Sequence, residues 1–196
     1  MSLSEKEIAD VGTGVFVLKK FLAADKTSEI MAEVSQLTQW VPSPSGIFKE
    51  NTLVEHEYVT KSGVLTVKDP KIKSWRNTRD WHSLQHVVQE KWKISLSGFS
   101  HFGISRYEEG ATVDDHQDTG PFSTTRVITF IVYLNEDFLG GEIVFPRLGA
   151  KYKPCRGDLL VFLSEHIHRV ETVRQNKRYC IIWFGEVEMD FAKKTH

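Results

Sequence analysis

Residues 158–186 read DLLVFLSEHIHRVETVRQNKRYCIIWFGE. Two apolar runs, Leu159 to Leu163 and Tyr179 to Phe184, are too short for ordinary helices and are rich in the β-branched and aromatic side chains that suit strands. Between them lies Glu165-His166-Ile167-His168, and the second run opens on Arg178. The same texture extends upstream. Segments 99–107, 126–134 and 142–146 are short, β-branched and aromatic, and turn residues separate them at Gly110, Gly120-Pro121, Gly140-Gly141, Gly149 and Arg156-Gly157-Asp158. Everything after residue 98 therefore predicts strands of a sandwich or barrel.

Before residue 98 the period is helical. Ile30, Met31, Val34 and Leu37 recur at the spacing of one helix face, with Asp25, Thr27 and Ser28 as capping candidates, so one amphipathic helix is expected over 22–37. A second stripe, Trp81, Leu84, Val88 and Trp92, reads as core packing. Val41-Pro42-Ser43-Pro44-Ser45-Gly46 forbids regular structure and predicts a loop or lid base. Helices first and strands afterwards predict a mainly β, α+β chain in which helices brace one face of an antiparallel double sheet. With 196 residues, 40% of them hydrophobic, residues 1–196 read as a single domain. Its parts are 1–98, helical support and a substrate flap, and 99–188, the catalytic β core.

A net charge of -1 supplies no field to attract nucleic acid or an anionic membrane. Lys68, Lys71, Lys73, Arg76 and Arg79 surround Trp75, but Asp69 and Asp80 dilute them and the cluster reads as a solvated face. Met1 to Asp10 is polar and unlike a signal peptide, and no apolar run approaches the roughly 20 residues of a spanning helix. A soluble, cytoplasmic protein is expected. Cys155 and Cys180 are expected to be free and buried in strand-like segments.

His116-Gln117-Asp118 places an imidazole and a carboxylate two residues apart, so on an extended chain both reach one face and can meet at one ion. By itself such a pair reads as a surface accident. A third candidate ligand follows fifty residues later in His168, with His166 as its rival two residues earlier. Two histidines and a carboxylate leave coordination places open, as iron(II) oxygenases need, although hydrolytic zinc sites use similar ligands. Ten residues beyond His168 stands Arg178. A guanidinium heading an apolar strand is costly to bury without an anion, and its rigid fork suits a carboxylate. This spacing favours His168 over His166.

Taken together, Arg106-Tyr107-Glu108-Glu109-Gly110, His116-Gln117-Asp118, Tyr133-Leu134-Asn135, Gly140-Gly141-Glu142, Pro154-Cys155-Arg156-Gly157-Asp158, His168-Arg169-Val170 and Arg178-Tyr179 resemble, in order and spacing, the prolyl 4-hydroxylase branch of the iron(II)/2-oxoglutarate oxygenases. The resemblance implies a double-stranded β-helix of jelly-roll, cupin-like form. It implies His116, Asp118 and His168 on Fe(II), Arg178 on the distal carboxylate of 2-oxoglutarate, and Tyr107 and Tyr133 as cosubstrate-pocket residues. O2 is the co-reactant it implies, with ascorbate as a reductant. Some members use lysine where this chain has Arg178; Lys177 alternates to the opposite strand face and is left out. Gly140, Gly141 and the Gly157-Asp158 pair read as turn formers, and Trp183 as core. His56, His82, His86, His101 and His196 have no usable partner spacing.

The implied reaction hydroxylates an unactivated C–H bond of a prolyl or other side chain in a peptide or protein, releasing succinate and CO2. A free amino acid or other small metabolite is the alternative substrate, and a non-catalytic metal-binding β-sandwich is the alternative of another class. Segments Pro42 to Asp80 and Thr119 to Thr125 are expected to border the open metal positions. Individual substrate-binding residues are not legible.

Overall fold

The computed structural model describes residues 8–43, 48–49, 52–53, 62–76, 81–100, 102–120 and 123–188. In chain order the elements are β1 (Ile8–Gly12), β2 (Val15–Leu18), α1 (Ala24–Val34), β3 (Val41–Pro42), β4 (Phe48–Lys49), β5 (Thr52–Leu53), β6 (Ser62–Lys68), α2 (Lys73–Arg76) and α3 (Trp81–Trp92). There follow β7 (Gly98–Phe99), β8 (Gly103–His116), β9 (Arg126–Tyr133), β10 (Leu139–Gly140), β11 (Ile143–Phe145), β12 (Ala150–Tyr152), β13 (Leu159–Leu163), β14 (His168–Val170), β15 (Val173–Gln175) and β16 (Arg178–Glu186).

Antiparallel pairing orders the main strands β1-β2-β13-β9-β16-β8-β14-β11-β12. The 14-residue β8 joins two sheets. Its first part, Gly103 to Tyr107, pairs with β16 and with β6, whereas Val113 and His116 pair with β14. The chain thus passes from one sheet to the facing one along a single strand, giving the expected mainly β jelly roll with a few helices on one side.

Side-chain alternation explains the apolar runs, because both faces of the larger sheet are covered. Ile128, Phe130 and Val132 of β9, Leu159 and Val161 of β13, and Ile181 and Trp183 of β16 face the helices. Ile131, Tyr133, Leu160, Phe162 and Cys180, at the intervening positions, face the interior between the sheets. On the helix side Trp183 stacks on Phe130 at 5.2 Å and meets Trp75 edge-on at 5.2 Å. Ile30 and Val34 of α1 and Leu84 and Val88 of α3 complete that layer. Trp183 is therefore core, as its strand context predicts.

Three expectations change. The N-terminal region contributes strands as well as helices: β2 lies between β1 and β13 in the larger sheet, its four apolar residues too short a run to be read as a strand. Within the expected flap, β6 is a sheet strand whose Val64, Thr66 and Val67 are buried; 44–47, 50–51, 54–61 and 77–80 lie outside the described residues. Cys180 is buried but Cys155 is exposed, and both are free. Cys155 sits on the turn before β13 rather than in a strand. Among the described residues no helix is long and apolar enough to cross a membrane.

The turn at Gly157-Asp158 does more than reverse the chain. Asp158 is buried, and its carboxylate accepts from the Lys19 ammonium at 2.8 Å, the Lys20 amide at 2.9 Å and the Tyr152 hydroxyl at 2.7 Å. It pins the turn after β2 to β12 and β13.

Candidate active site

β8 ends at His116, β14 begins at His168, and the two are register partners. Antiparallel pairing therefore brings their imidazoles together, with ring centroids 4.2 Å apart. Asp118 lies between them: Oδ1 is 3.7 Å from His116 Nε2 and Oδ2 is 3.6 Å from His168 Nε2. One ligand atom from each of the three lies within 4.8 Å of the other two. This donor set suits a first-row transition cation.

Each imidazole is oriented by main chain. Nδ1 of His116 lies 2.9 Å from the Asp114 carbonyl, and Nδ1 of His168 lies 3.0 Å from the His166 carbonyl. A carbonyl only accepts, so Nδ1 carries the proton in each ring and Nε2 turns its lone pair toward Asp118. Backbone partners leave no trace in sequence, which is why they were not foreseen. His166 serves through its carbonyl rather than its ring. Its ring meets Phe145 edge-on and abuts the β1–β2 turn, where a Cβ on Gly14 would fall 2.5 Å from Nε2. Burial lowers its pKa. His168 is the histidine that joins His116 and Asp118.

The cation heading β16 is fully buried, with Arg178 0% exposed. Its register partner is Tyr107, while Cys180, two residues on, pairs with Tyr133. The guanidinium lies over the Tyr107 ring at 4.3 Å and the Tyr133 ring at 5.1 Å. Among the described residues, Nε, Nη1 and Nη2 and the Tyr133 hydroxyl make no hydrogen bond of good geometry, and the polar groups that approach the guanidinium are the Tyr107 and Tyr133 hydroxyls. Burial pushes the Tyr107 phenol up to about 12 and raises that of Tyr133 as well, so both remain neutral donors at physiological pH. Gly141, at φ +66°, makes room: a Cβ there would come 3.1 Å from Arg178 Cδ. Lys177 points outward to Glu108, at 3.0 Å.

A cavity of about 650 Å³ connects these features. His116, Asp118, His168 and Tyr107 line it, and Arg178 packs directly behind the Tyr107 ring. Toward the opening its wall includes Phe99, Phe102, Phe184, Lys68, Arg126 and Glu186. The 42–80 segment reaches the wall through Ser43, Val64, Thr66, Lys68 and Asp69. Among the described residues of 119–125 none does, and the wall from that side begins at Arg126. Trp75 is 0% exposed and packs on Trp183, so the neighbouring lysines surround no free aromatic face of the kind that stacks bases.

Residues 102–185 match the 2OG-Fe(II) oxygenase superfamily. Over that span the chain resembles a 2OG-Fe(II) oxygenase domain. A PKHD-type hydroxylase of Acaryochloris marina is 32% identical over 97 residues, 46% of this chain and 44% of that protein. Prolyl 4-hydroxylase 13 of Arabidopsis thaliana is 32% identical over 87 residues, 34% of this chain and 32% of that protein. The chain thus spans less than half the length of either relative. The fold matches a crystal structure of a Pseudomonas putida prolyl-4-hydroxylase, with a TM-score of 0.69 at 20% identity, covering 90% of this chain and 94% of that one.

The superfamily implies Fe(II) and 2-oxoglutarate, and the residues of this chain fit both. Two oriented imidazoles and a carboxylate suit the metal. Three buried guanidinium nitrogens and a tyrosine hydroxyl without acceptors are what an anion's distal carboxylate would satisfy. The sequence had singled out His116, Asp118, His168, Arg178, Tyr107 and Tyr133. It missed Thr129, whose hydroxyl donates to Asp118 Oδ2 at 2.8 Å, and Ser164, 2.9 Å from Thr129 Oγ1. A lone hydroxyl at an inward position of the apolar run Val127 to Val132 was the available signal.

Proposed function

We propose that this domain hydroxylates an unactivated C–H bond of a prolyl or other side chain in a peptide or protein, coupled to conversion of 2-oxoglutarate and O2 to succinate and CO2. The observation that carries this reading is the buried Arg178 guanidinium, without an acceptor among the described residues, packed behind the Tyr107 ring that lines the same cavity as His116, Asp118 and His168. A structural metal site would not need it.

In this reading His116 Nε2, Asp118 and His168 Nε2 hold Fe(II). Iron and 2-oxoglutarate, once bound, supply an oxidant made from O2. The chain's own groups bind and orient: Arg178 pairs with the distal carboxylate, and the Tyr133 and Tyr107 hydroxyls donate to the same anion. Tyr107 covers the guanidinium, so its ring must turn aside as the carboxylate arrives. Ascorbate acts as an accessory reductant.

Peptide substrates are supported by the solved relatives. One is a prolyl hydroxylase of Trichoplax adhaerens in complex with a hypoxia inducible factor peptide fragment, matching with a TM-score of 0.69 at 18% identity over 94% of this chain and 88% of that one. The cavity wall at Phe99 and Phe184 offers apolar surface for a prolyl ring. A second reading, a free amino acid, draws on the mixed charge of Lys68, Asp69, Arg126 and Glu186 at the opening, which could grip both ends of a zwitterion.

The test is anaerobic Fe(II) plus 2-oxoglutarate, expected to give a visible charge-transfer band. Alanine at His116, Asp118 or His168 should abolish it, whereas His166→Ala should leave it. Proline-containing peptides and free amino acids are then compared for succinate release in air. A band that survives His168→Ala and is lost in His166→Ala would contradict the ligand assignment.

A further inference from the structure

The carboxylate of Asp118 is loaded from behind by two hydroxyls that no mechanism yet employs. Thr129 and Ser164 are both 0% exposed. Thr129 Oγ1 donates to Asp118 Oδ2 at 2.8 Å and stands 2.9 Å from Ser164 Oγ. The direction of this relay is forced. An ionised carboxylate only accepts, and a hydroxyl has one proton, so Thr129 gives its proton to Asp118 and Ser164 must donate to Thr129. The backbone locks the same frame: the Asp118 amide donates to the Ser164 carbonyl at 3.0 Å, and the Ser164 amide donates to the Val127 carbonyl at 2.9 Å.

The relay matters because, with respect to the two imidazoles, the carboxylate is placed almost symmetrically. Oδ1 lies 3.7 Å from His116 Nε2 and Oδ2 lies 3.6 Å from His168 Nε2. Either oxygen, or both, could meet a cation held by the two imidazoles. A charge-assisted bond from a buried hydroxyl weakens Oδ2 as a ligand and favours Oδ1. We infer that Thr129, backed by Ser164, is a positioning residue that makes Asp118 offer a single oxygen, Oδ1, to the metal. A carboxylate that chelated through both oxygens would take up a coordination place that 2-oxoglutarate needs. The inference rests on the metal assignment proposed above. The position argues for it too: Thr129 lies in the apolar run of β9, paired with Phe162 and Phe184, where valine would have the same shape and no hydroxyl to satisfy.

Cobalt(II) substituted for iron tests this without turnover, because its visible spectrum reports coordination number and its 2-oxoglutarate affinity can be titrated. Wild type, Thr129→Val, Thr129→Ser and Ser164→Ala are compared. Thr129→Val is expected to change the cobalt spectrum, to weaken cobalt binding by roughly ten- to a hundredfold, the range typical for loss of a partner behind a metal ligand, and to lower 2-oxoglutarate affinity with it. Thr129→Ser, which keeps the hydroxyl, should restore these readouts, and Ser164→Ala should fall between. Valine and serine variants that lose thermal stability alike while keeping the wild-type spectrum and affinity would overturn the inference. Should Thr129→Val not fold, a wild-type spectrum and affinity in Ser164→Ala would overturn it equally. If wild-type protein itself shows no cobalt spectrum sensitive to 2-oxoglutarate, the metal reading fails and takes this inference with it, an outcome distinct from a normal wild type beside an unchanged Thr129→Val.

Discussion

The two faces of β16 differ sharply. Tyr179, Ile181 and Trp183 point to the helices, where rings stack and the layer contains apolar side chains. Arg178, Cys180 and Ile182 point between the sheets, where a buried cation lies among tyrosines without an acceptor among the described residues. Both faces hold a buried N–H without a partner among the described residues, but on the helix face it is the neutral indole of Trp183 inside a packed layer of rings, whereas on the interior face it belongs to a full positive charge beside a cavity. The contrast teaches where stability and function separate in this fold: a single strand serves both, at alternate residues.

Trp183→Ala removes a fully buried ring that touches Phe130, Trp75 and Trp81, and should cost about 3–5 kcal/mol of unfolding free energy. Denaturant melts measure this, and surviving protein should keep its 2-oxoglutarate affinity.

From the interior side the sign should reverse. Buried donors without partners cost roughly 1–3 kcal/mol, partly offset by stacking on Tyr107 and Tyr133. Arg178→Met, of similar volume and without charge, should therefore raise the melting temperature of the ligand-free protein. It should also erase the stabilisation that 2-oxoglutarate gives the wild type. A less stable ligand-free Arg178→Met would mean that the guanidinium is already satisfied.

The smallest effect concerns pH. Burial raises the Tyr107 phenol from its ordinary 10.0 to about 12, so the folded state favours the neutral form. That contribution is complete below about pH 10 and is lost as pH rises through the folded value, because the unfolded chain ionises first. Stability should be insensitive to this group between pH 7 and 9 and decline above 10, and Tyr107→Phe should shallow the decline.

Much of this was legible in sequence because strand parity carries it. Once Arg178 is placed on an apolar strand, alternation puts Trp183 on the other face and Lys177 outside, as the structure has them. The spacing of His116, Asp118 and His168 survives because register partners across two strands need only the right residue types at the strand ends. What was hidden lies in contacts that sequence does not mark. The carbonyls of Asp114 and His166 orient the imidazoles whatever side chains those residues carry. The short run Val15 to Leu18 becomes a sheet strand through its pairing with β13, a long-range event. Asp158 looked like a turn residue, yet it accepts three hydrogen bonds from elements 6 to 139 residues away in the chain.

In the proposed function the interior face of this sheet holds 2-oxoglutarate at Arg178 in front of a metal on His116, Asp118 and His168. The most direct measurement is an anaerobic titration of 2-oxoglutarate into the Fe(II) form of wild type and Arg178→Ala, followed by the charge-transfer band. Loss of a charge-assisted pair worth about 1.5–3 kcal/mol predicts a band in both proteins, with half-saturation shifted roughly ten- to a hundredfold higher in the variant. A wild type without the band, or a variant that saturates at the wild-type concentration, would contradict it.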